Sequence, residues 1–249
     1  INFSTALMFV LAGAGVPVVK HGNRGLTKTS GSADALEALG VAIDLEPARL
    51  KICLEKTGLA FIFAPAYHSS FKVIGPVRKA IAAEGRRTIF NLLGPLLNPA
   101  RPGSQLTGVF RKEHLPLFGD ALRLLGRSRY RILYGETPEG KSLGEASPVG
   151  QTLTMESNGR ERETIRASEV RPKDWHSLEV SSAKESAARI IALLDNQGPP
   201  LAREMLVLNA AHAFCAHGSA RTLEEGSLQA EESLLSGAAK SRLKLWQSL

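Results

Sequence analysis

Cysteine, tryptophan and tyrosine are scarce: the 249 residues hold two Cys, two Trp and three Tyr. Cys53 and Cys215 stand far apart in apolar stretches. They are too few for a disulfide scaffold and read as two buried free thiols of a reducing compartment. No Cys–His spacing matches a zinc site. Aromatic residues make up 6% and form no stripe, so a base-stacking platform for nucleic acid is lacking. No apolar run approaches the ~18–20 residues of a membrane span. The apolar stretch 5–19 is short, has no basic lead and contains Gly and Pro, which does not fit a signal peptide. Internal repeats and low-complexity tracts are absent as well.

What is present is globular material, 43% apolar and 22% charged. At about 150 residues per domain the length allows one to two domains. Surface scaling places about 70% of the unfolded chain's surface in the interior. The net charge is +7. Much of the excess lies in 101–131, where Arg101, Arg111, Lys112, Arg123, Arg127, Arg129 and Arg131 face only Glu113 and Asp120. Such a stretch suits anionic partners, whether phosphorylated metabolites or nucleic acid, and equally suits a solvated helix face with basic flanks.

The apolar periodicity predicts a helix from Asn2 or Ser4 to Gly13, then a short strand at Val16–Val19. A polar loop runs from Lys20 to Gly31, and Ser32 caps a helix through Leu39. Pro47 opens a further helix to Lys56, and Leu59–Phe63 reads as a buried strand. Residues 65–100 are mixed helix and loop, broken by Pro65, Pro76, Pro95 and Pro99. Strands follow at Leu106–Phe110 and Arg131–Tyr134, with a helix over 113–125 between them. After a long loop at 135–150, Thr152–Glu156 and Glu163–Arg166 form a hairpin around Asn158-Gly159. The tail is helical at about 181–195, 199–217, 223–234 and 236–247. Strands alternating with helices define an α/β fold with a mixed, mostly parallel sheet flanked by helices.

One loop stands out chemically. Lys20-His21-Gly22-Asn23-Arg24 leads to Ser30-Gly31-Ser32-Ala33-Asp34, which opens a helix. Free N–H groups at a helix start, small residues and two cations make a place for phosphate. In open α/β sheets such a loop lies at the carboxyl end of a strand, where ligands bind.

These residues also carry a resemblance. KHGNR followed by SGSADALEALG resembles the anthranilate phosphoribosyltransferase family of tryptophan biosynthesis. Phe63-Ala64-Pro65-Ala66-Tyr67-His68, Gly75-Pro76-Val77-Arg78 and the stretch from Arg87 to Pro99 (RTIFNLLGPLLNP) resemble further motifs of that family. Asn2-Phe3-Ser4-Thr5 is similar to its phosphate-binding helix start, and Leu208-Asn209-Ala210-Ala211 to a helical string near its end.

The resemblance implies a nucleoside phosphorylase and phosphoribosyltransferase type of fold over 1–249, as one catalytic domain with a helical segment near 65–100. It implies a pentosyl transfer, phosphoribose passing from phosphoribosyl pyrophosphate to anthranilate, in the cytoplasm and with Mg2+. Asn2, Ser4, Thr5, Lys20 and Ser32 correspond to contacts of phosphoribosyl pyrophosphate. Asn23, His68 and Arg78 correspond to anthranilate contacts, with His21 and Gly94-Pro95 lining the same pocket. Ser4 and Glu145 correspond to metal contacts.

The family's metal-binding Asp-Glu pair becomes Gly144-Glu145, with Glu136, Glu139 or Asp34 as candidates to compensate, and extra residues stand near Ala82-Ala83-Glu84-Gly85. The glycine-rich loop and the N-terminal helices of the family, which usually make its homodimer contact, fall before Ile1, so the chain is expected to begin inside a fold. Two alternatives stay open: a relative that binds nucleic acid or another anion through its basic face, and a transferase with a different acceptor. His114, His176, His212 and His217 read as structural.

Overall fold

Asn2 starts the first helix, α1 (Phe3–Gly13), by accepting the Thr5 N–H on its Oδ1 at 3.1 Å, the bond expected of an N-cap side chain. In this computed structural model the described residues are 1–25, 31–68, 70–86, 88–164 and 172–249. α1 carries no charge, and Phe3, Met8, Phe9 and Val10 are at most 4% exposed. A helix apolar on all sides belongs in an interior, and α1 forms the middle of the main core.

The Leu11 carbonyl takes the Val16 N–H, and Pro17 has none to offer, so the strand expected from Val16 starts later, as β1 (Val18–Gly22). β2 (Leu59–Phe63) matches its expected bounds and pairs with β1 in parallel, Val18 opposite Leu59 and Gly22 opposite Phe63. Between them lie α2 (Ser32–Ala38) and α3 (Pro47–Thr57). Ser32 was expected as the cap of α2. It is instead the first helical residue, because Asp34 Oδ2 accepts the Gly31 N–H at 2.8 Å and makes Gly31 the cap.

The next stretch holds α4 (Ala64–Tyr67), α5 (Ser70–Ala83), α6 (Phe90–Leu93) and a single 3-10 turn at Gly94–Leu96. Pro65 and Pro95 sit in first turns. Pro76, expected as a break, lies inside the 14 residues of α5. The helix carries on past its one missing N–H. The additional residues near Ala82 close α5, with Gly85 at φ 72°.

A second sheet is built from β3 (Ser104–Gly108), β4 (Arg129–Glu136), β5 (Ser142–Leu143), β6 (Thr152–Glu156) and β7 (Glu161–Thr164). β3 and β4 pair in parallel around the helix α7 (His114–Leu124), with Ser104 opposite Arg129. β4 pairs antiparallel with β5 and β6, and β6 with β7. β3 lies two residues before its expected place, and Phe110 is left 53% exposed beyond it. The hairpin turns at Gly159 with φ 76°, so β7 begins at Glu161 rather than Glu163, and Arg166 falls outside the described residues. The α/β class and the mixed sheet are as expected. Among the described residues the sheet is in two parts, with an antiparallel far edge.

The tail forms α8 (Ala183–Leu194), α9 (Pro200–His217), α10 (Leu223–Leu235) and α11 (Ala238–Gln247). α9 packs on β3 and β4 as well as on α1 and α10. Ser233 Oγ of α10 donates to the Val10 carbonyl of α1 at 2.8 Å. Cys53 is buried as expected. Cys215 is only half-buried and donates to the Thr222 carbonyl.

Candidate active site

Every residue of β1 and β3 lines one cleft of about 1460 Å³, whose floor includes Leu7, Met8 and Leu11 of α1. At the carboxyl end of β1, Lys20 Nζ donates to Ser4 Oγ at 2.9 Å, and Ser4 Oγ donates to Asn2 Oδ1 at 3.0 Å. Ser4, Lys20 and Glu145 all line the cleft. Burial pushes the Lys20 ammonium down to about 8, against the opposing pull of Glu145. Burial pushes the Glu145 carboxyl up to about 7, against the opposing pull of Lys20. Each feels the other's charge, yet the hydrogen bond Lys20 makes among the described residues goes to Ser4.

Glu145 is carried by a loop seated directly on strand ends. A Cβ on Gly108, at the end of β3, would lie 1.6 Å from the Gly144 carbonyl oxygen. A Cβ on Gly135, in β4, would lie 2.0 Å from the Glu145 carbonyl oxygen. Only glycine at both positions lets the loop approach this closely. Sequence reasoning gave neither residue a role, because each contact joins positions distant along the chain.

Across the cleft stand His21, Asn23, His68, Gly94 and Pro95. His21 Nδ1 lies 3.3 Å from the Gly94 carbonyl oxygen, which can only accept, so Nδ1 carries the proton. The Nε2 of a neutral His21 is then an acceptor, and His68 Nε2–H donates to it at 3.1 Å. The rings meet edge to face at 5.0 Å. Burial, then the neighbouring His68, lowers the His21 pKa, partly offset by the Gly94 bond. The two nitrogens of His21 tie the ends of β1 and α4 to the 3-10 turn.

Several residues fall elsewhere. Thr5 is fully buried on α1 and is not among the residues lining the cleft, and only its backbone N–H meets Asn2. Asn2 stands behind Ser4. Ser32 sits against Gly22, where a Cβ would come within 2.2 Å of its hydroxyl. Arg78 lies on α5, whose Gly75 lines the cleft.

Arg24, read as a second cation at the mouth, is turned onto α2. It pairs with Glu37 and Asp34 and lies 5.5 Å from the Phe63 ring centre. The acids considered for the metal are engaged locally. Asp34 accepts the Gly25 and Gly31 N–H groups, Glu136 pairs with Lys112, and Glu139 accepts from Thr137. Among the described residues no group of three or more His, Cys, Asp or Glu is placed to hold a metal.

The basic stretch is also largely engaged. Arg131 pairs with Glu156 at 2.7 Å, Lys112 with Glu136 and Arg123 with Asp120. Arg129 donates to the His217 carbonyl, and Arg127 is 8% exposed. Arg101 and Arg111 remain exposed on the same stretch.

A split α/β sheet with a cation, a hydroxyl and a carboxylate at one strand end defines a class: a model of the glycosyl transferase family, a/b domain, matches residues 1–240. The anthranilate phosphoribosyltransferase of Chlorobium phaeovibrioides is 40% identical over 247 residues, covering 98% of this chain and 70% of that protein. That of Stenotrophomonas maltophilia is 40% identical over 251 residues. The solved anthranilate phosphoribosyltransferase of Thermus thermophilus superimposes with a TM-score of 0.87 at 34% identity, covering 99% of this chain and 72% of that one. The Saccharomyces cerevisiae enzyme, solved in complex with PRPP and Mg, gives 0.86 at 25% identity. The chain belongs to the anthranilate phosphoribosyltransferase family.

Proposed function

We propose that this chain transfers phosphoribose from phosphoribosyl pyrophosphate to the amine of anthranilate, a step of tryptophan biosynthesis. The observation that carries the reading is the convergence of Ser4, Lys20 and Glu145 with Asn23 and His68 on one cleft, in a chain of this family. A C–N bond forms between the amine and ribose C1, the C–O bond to pyrophosphate breaks, and the amine gives up a proton. The amine is already a nucleophile, so the work of the site is alignment and stabilisation of the leaving charge. Lys20 holds that charge. Asn23, His68 and Arg78 orient the acceptor, with the Arg78 guanidinium suited to a carboxylate.

Magnesium would be held by Ser4 and Glu145. Glu145 stands buried beside Lys20 and keeps its proton to about 7, an incompletely compensated carboxylate that a further cation would satisfy. One carboxylate with substrate phosphates and water is an ordinary Mg2+ set. Bound there, the ion supplies positive charge to the departing pyrophosphate. A cytoplasmic setting fits the two free thiols, and no helix among the described residues is long and apolar enough to cross a membrane.

Calorimetry with phosphoribosyl pyrophosphate is expected to show magnesium-dependent binding, and added anthranilate to give phosphoribosyl-anthranilate by mass spectrometry. Absence of that product from protein that binds both substrates would sink the reading. Gly144→Asp restores the second carboxylate. Its Cβ would sit 3.3 Å from the edge of the half-exposed Phe110 ring. The substitution is expected to tighten magnesium binding about tenfold, worth ~1.4 kcal/mol, readable by the same titration.

A further inference from the structure

Asn209 lies on α9, in a string that the sequence singles out without giving it a task. Its side chain is 3% exposed and makes three hydrogen bonds. Oδ1 accepts the Ala146 N–H at 2.9 Å, and Nδ2 donates to the Ala146 carbonyl at 3.0 Å. The second Nδ2 hydrogen goes to the Met205 carbonyl at 2.8 Å, one turn back on α9, which fixes the amide's orientation. The amide thus grips both backbone groups of one residue, as a neighbouring strand would. Ala146 is fully buried, so neither group has water to turn to if the amide is lost.

Ala146 immediately follows Glu145, whose own carbonyl rests against Gly135, while that of Gly144 rests against Gly108. Thr152 completes the support: its Oγ1 accepts the Ser147 N–H at 2.9 Å and donates to the Ser147 carbonyl at 3.3 Å. The loop is therefore pressed onto the sheet by its glycines and held from the opposite side by α9.

We infer that Asn209 is a positioning residue for Glu145, clamping the acidic loop so that its carboxylate stands opposite Lys20 where magnesium and pyrophosphate are held. The inference rests on the proposed metal role of Glu145. It assigns to α9, 63 residues further along the chain, control over an ion it does not touch. Outer-shell groups of this kind typically account for 10–100-fold in metal affinity.

The test is calorimetric titration of phosphoribosyl pyrophosphate at a series of magnesium concentrations, without anthranilate and hence without turnover. Asn209→Leu removes the clamp, and Asn209→Ala does so in a smaller side chain should leucine prevent folding. Gly135→Ala displaces the same loop without touching Asn209. Each is expected to raise the magnesium concentration for half-maximal binding about 10–100-fold, with the anthranilate KM unchanged at saturating magnesium. Asn196→Ala is the control. It loses a bond to the Leu234 carbonyl remote from the loop, so it lowers the Tm while leaving the magnesium midpoint in place.

A folded Asn209 variant with the wild-type midpoint would overturn the inference, and so would a control that shifts as far as the Asn209 variants. Wild-type protein that binds phosphoribosyl pyrophosphate equally well without magnesium would instead overturn the metal role of Glu145, a failure visible before any substitution is made.

Discussion

Replacing Lys20 by methionine is expected to lower kcat/KM for phosphoribosyl pyrophosphate about 10²–10³-fold, the usual loss when one preorganised donor to a developing anion is removed, with the anthranilate KM unchanged. Among the described residues, Lys20 and Arg129 are the lysine and arginine that line the cleft, and Arg129 donates to the His217 carbonyl. Lys20 is held by one hydrogen bond to Ser4 and is partly stripped of water, which lowers its pKa to about 8. In a desolvated site a fixed cation acts on a departing pyrophosphate more strongly than it would in water. Methionine preserves the stem and its packing on β1 while deleting the charge, so the loss reads as electrostatic rather than structural. Steady-state kinetics with each substrate varied in turn decides the matter. A variant within tenfold of wild type would remove Lys20 from the chemistry.

The second large effect concerns stability rather than rate. His212 is 1% exposed on α9, and burial, reinforced by Arg131, pushes its pKa down to about 3. Its Nδ1 lies 3.3 Å from Arg131 Nη1, which can only donate, so Nδ1 accepts and the proton sits on Nε2. In the unfolded chain the imidazole titrates near 6.5. The folded form remains neutral as the pH falls through that value, while the unfolded form gains a proton. Stability is therefore fully present above 6.5 and is lost progressively towards 3, at about 1.4 kcal/mol per pH unit. His21, also depressed, acts in the same direction. Urea denaturation at pH 6 and pH 5 is expected to show this loss in wild type and a slope shallower by about 1.4 kcal/mol per unit in His212→Gln. Parallel slopes in the two proteins would refute it.

The parts of this fold legible from the sequence are those governed by neighbours. Asn2 caps α1 through a residue three positions on, and β2 is a run of five apolar residues with its bounds as expected. Boundaries slipped where a distant partner decides them. β3 begins at Ser104 because it registers with Arg129 on β4, and that pairing has no local signature. The site divides similarly. The strand-end motif brings Lys20, His21 and Asn23 to the cleft, but the same motif's Arg24 is captured by Glu37 on α2. Thr5 resembles a ligand contact in the string, yet helical spacing turns its side chain into the core. The seats at Gly108 and Gly135 are contacts between chain segments far apart, invisible until the strands are laid side by side.

The position of α1 has a consequence for synthesis. α1 is one of the most apolar helices in the molecule, and most of the surface that covers it comes from α8, α9, α10 and α11, which are synthesised well after it. Until those helices are made, the strip of Phe3, Met8, Phe9 and Leu11 has only the cover that α2, β1 and β2 give, and exposed apolar surface of this kind draws nascent chains into aggregates. The Val10–Ser233 bond spans 223 positions, so this part of the core closes only once α10 has emerged. The interior around α1 is thus completed long after α1 itself is made.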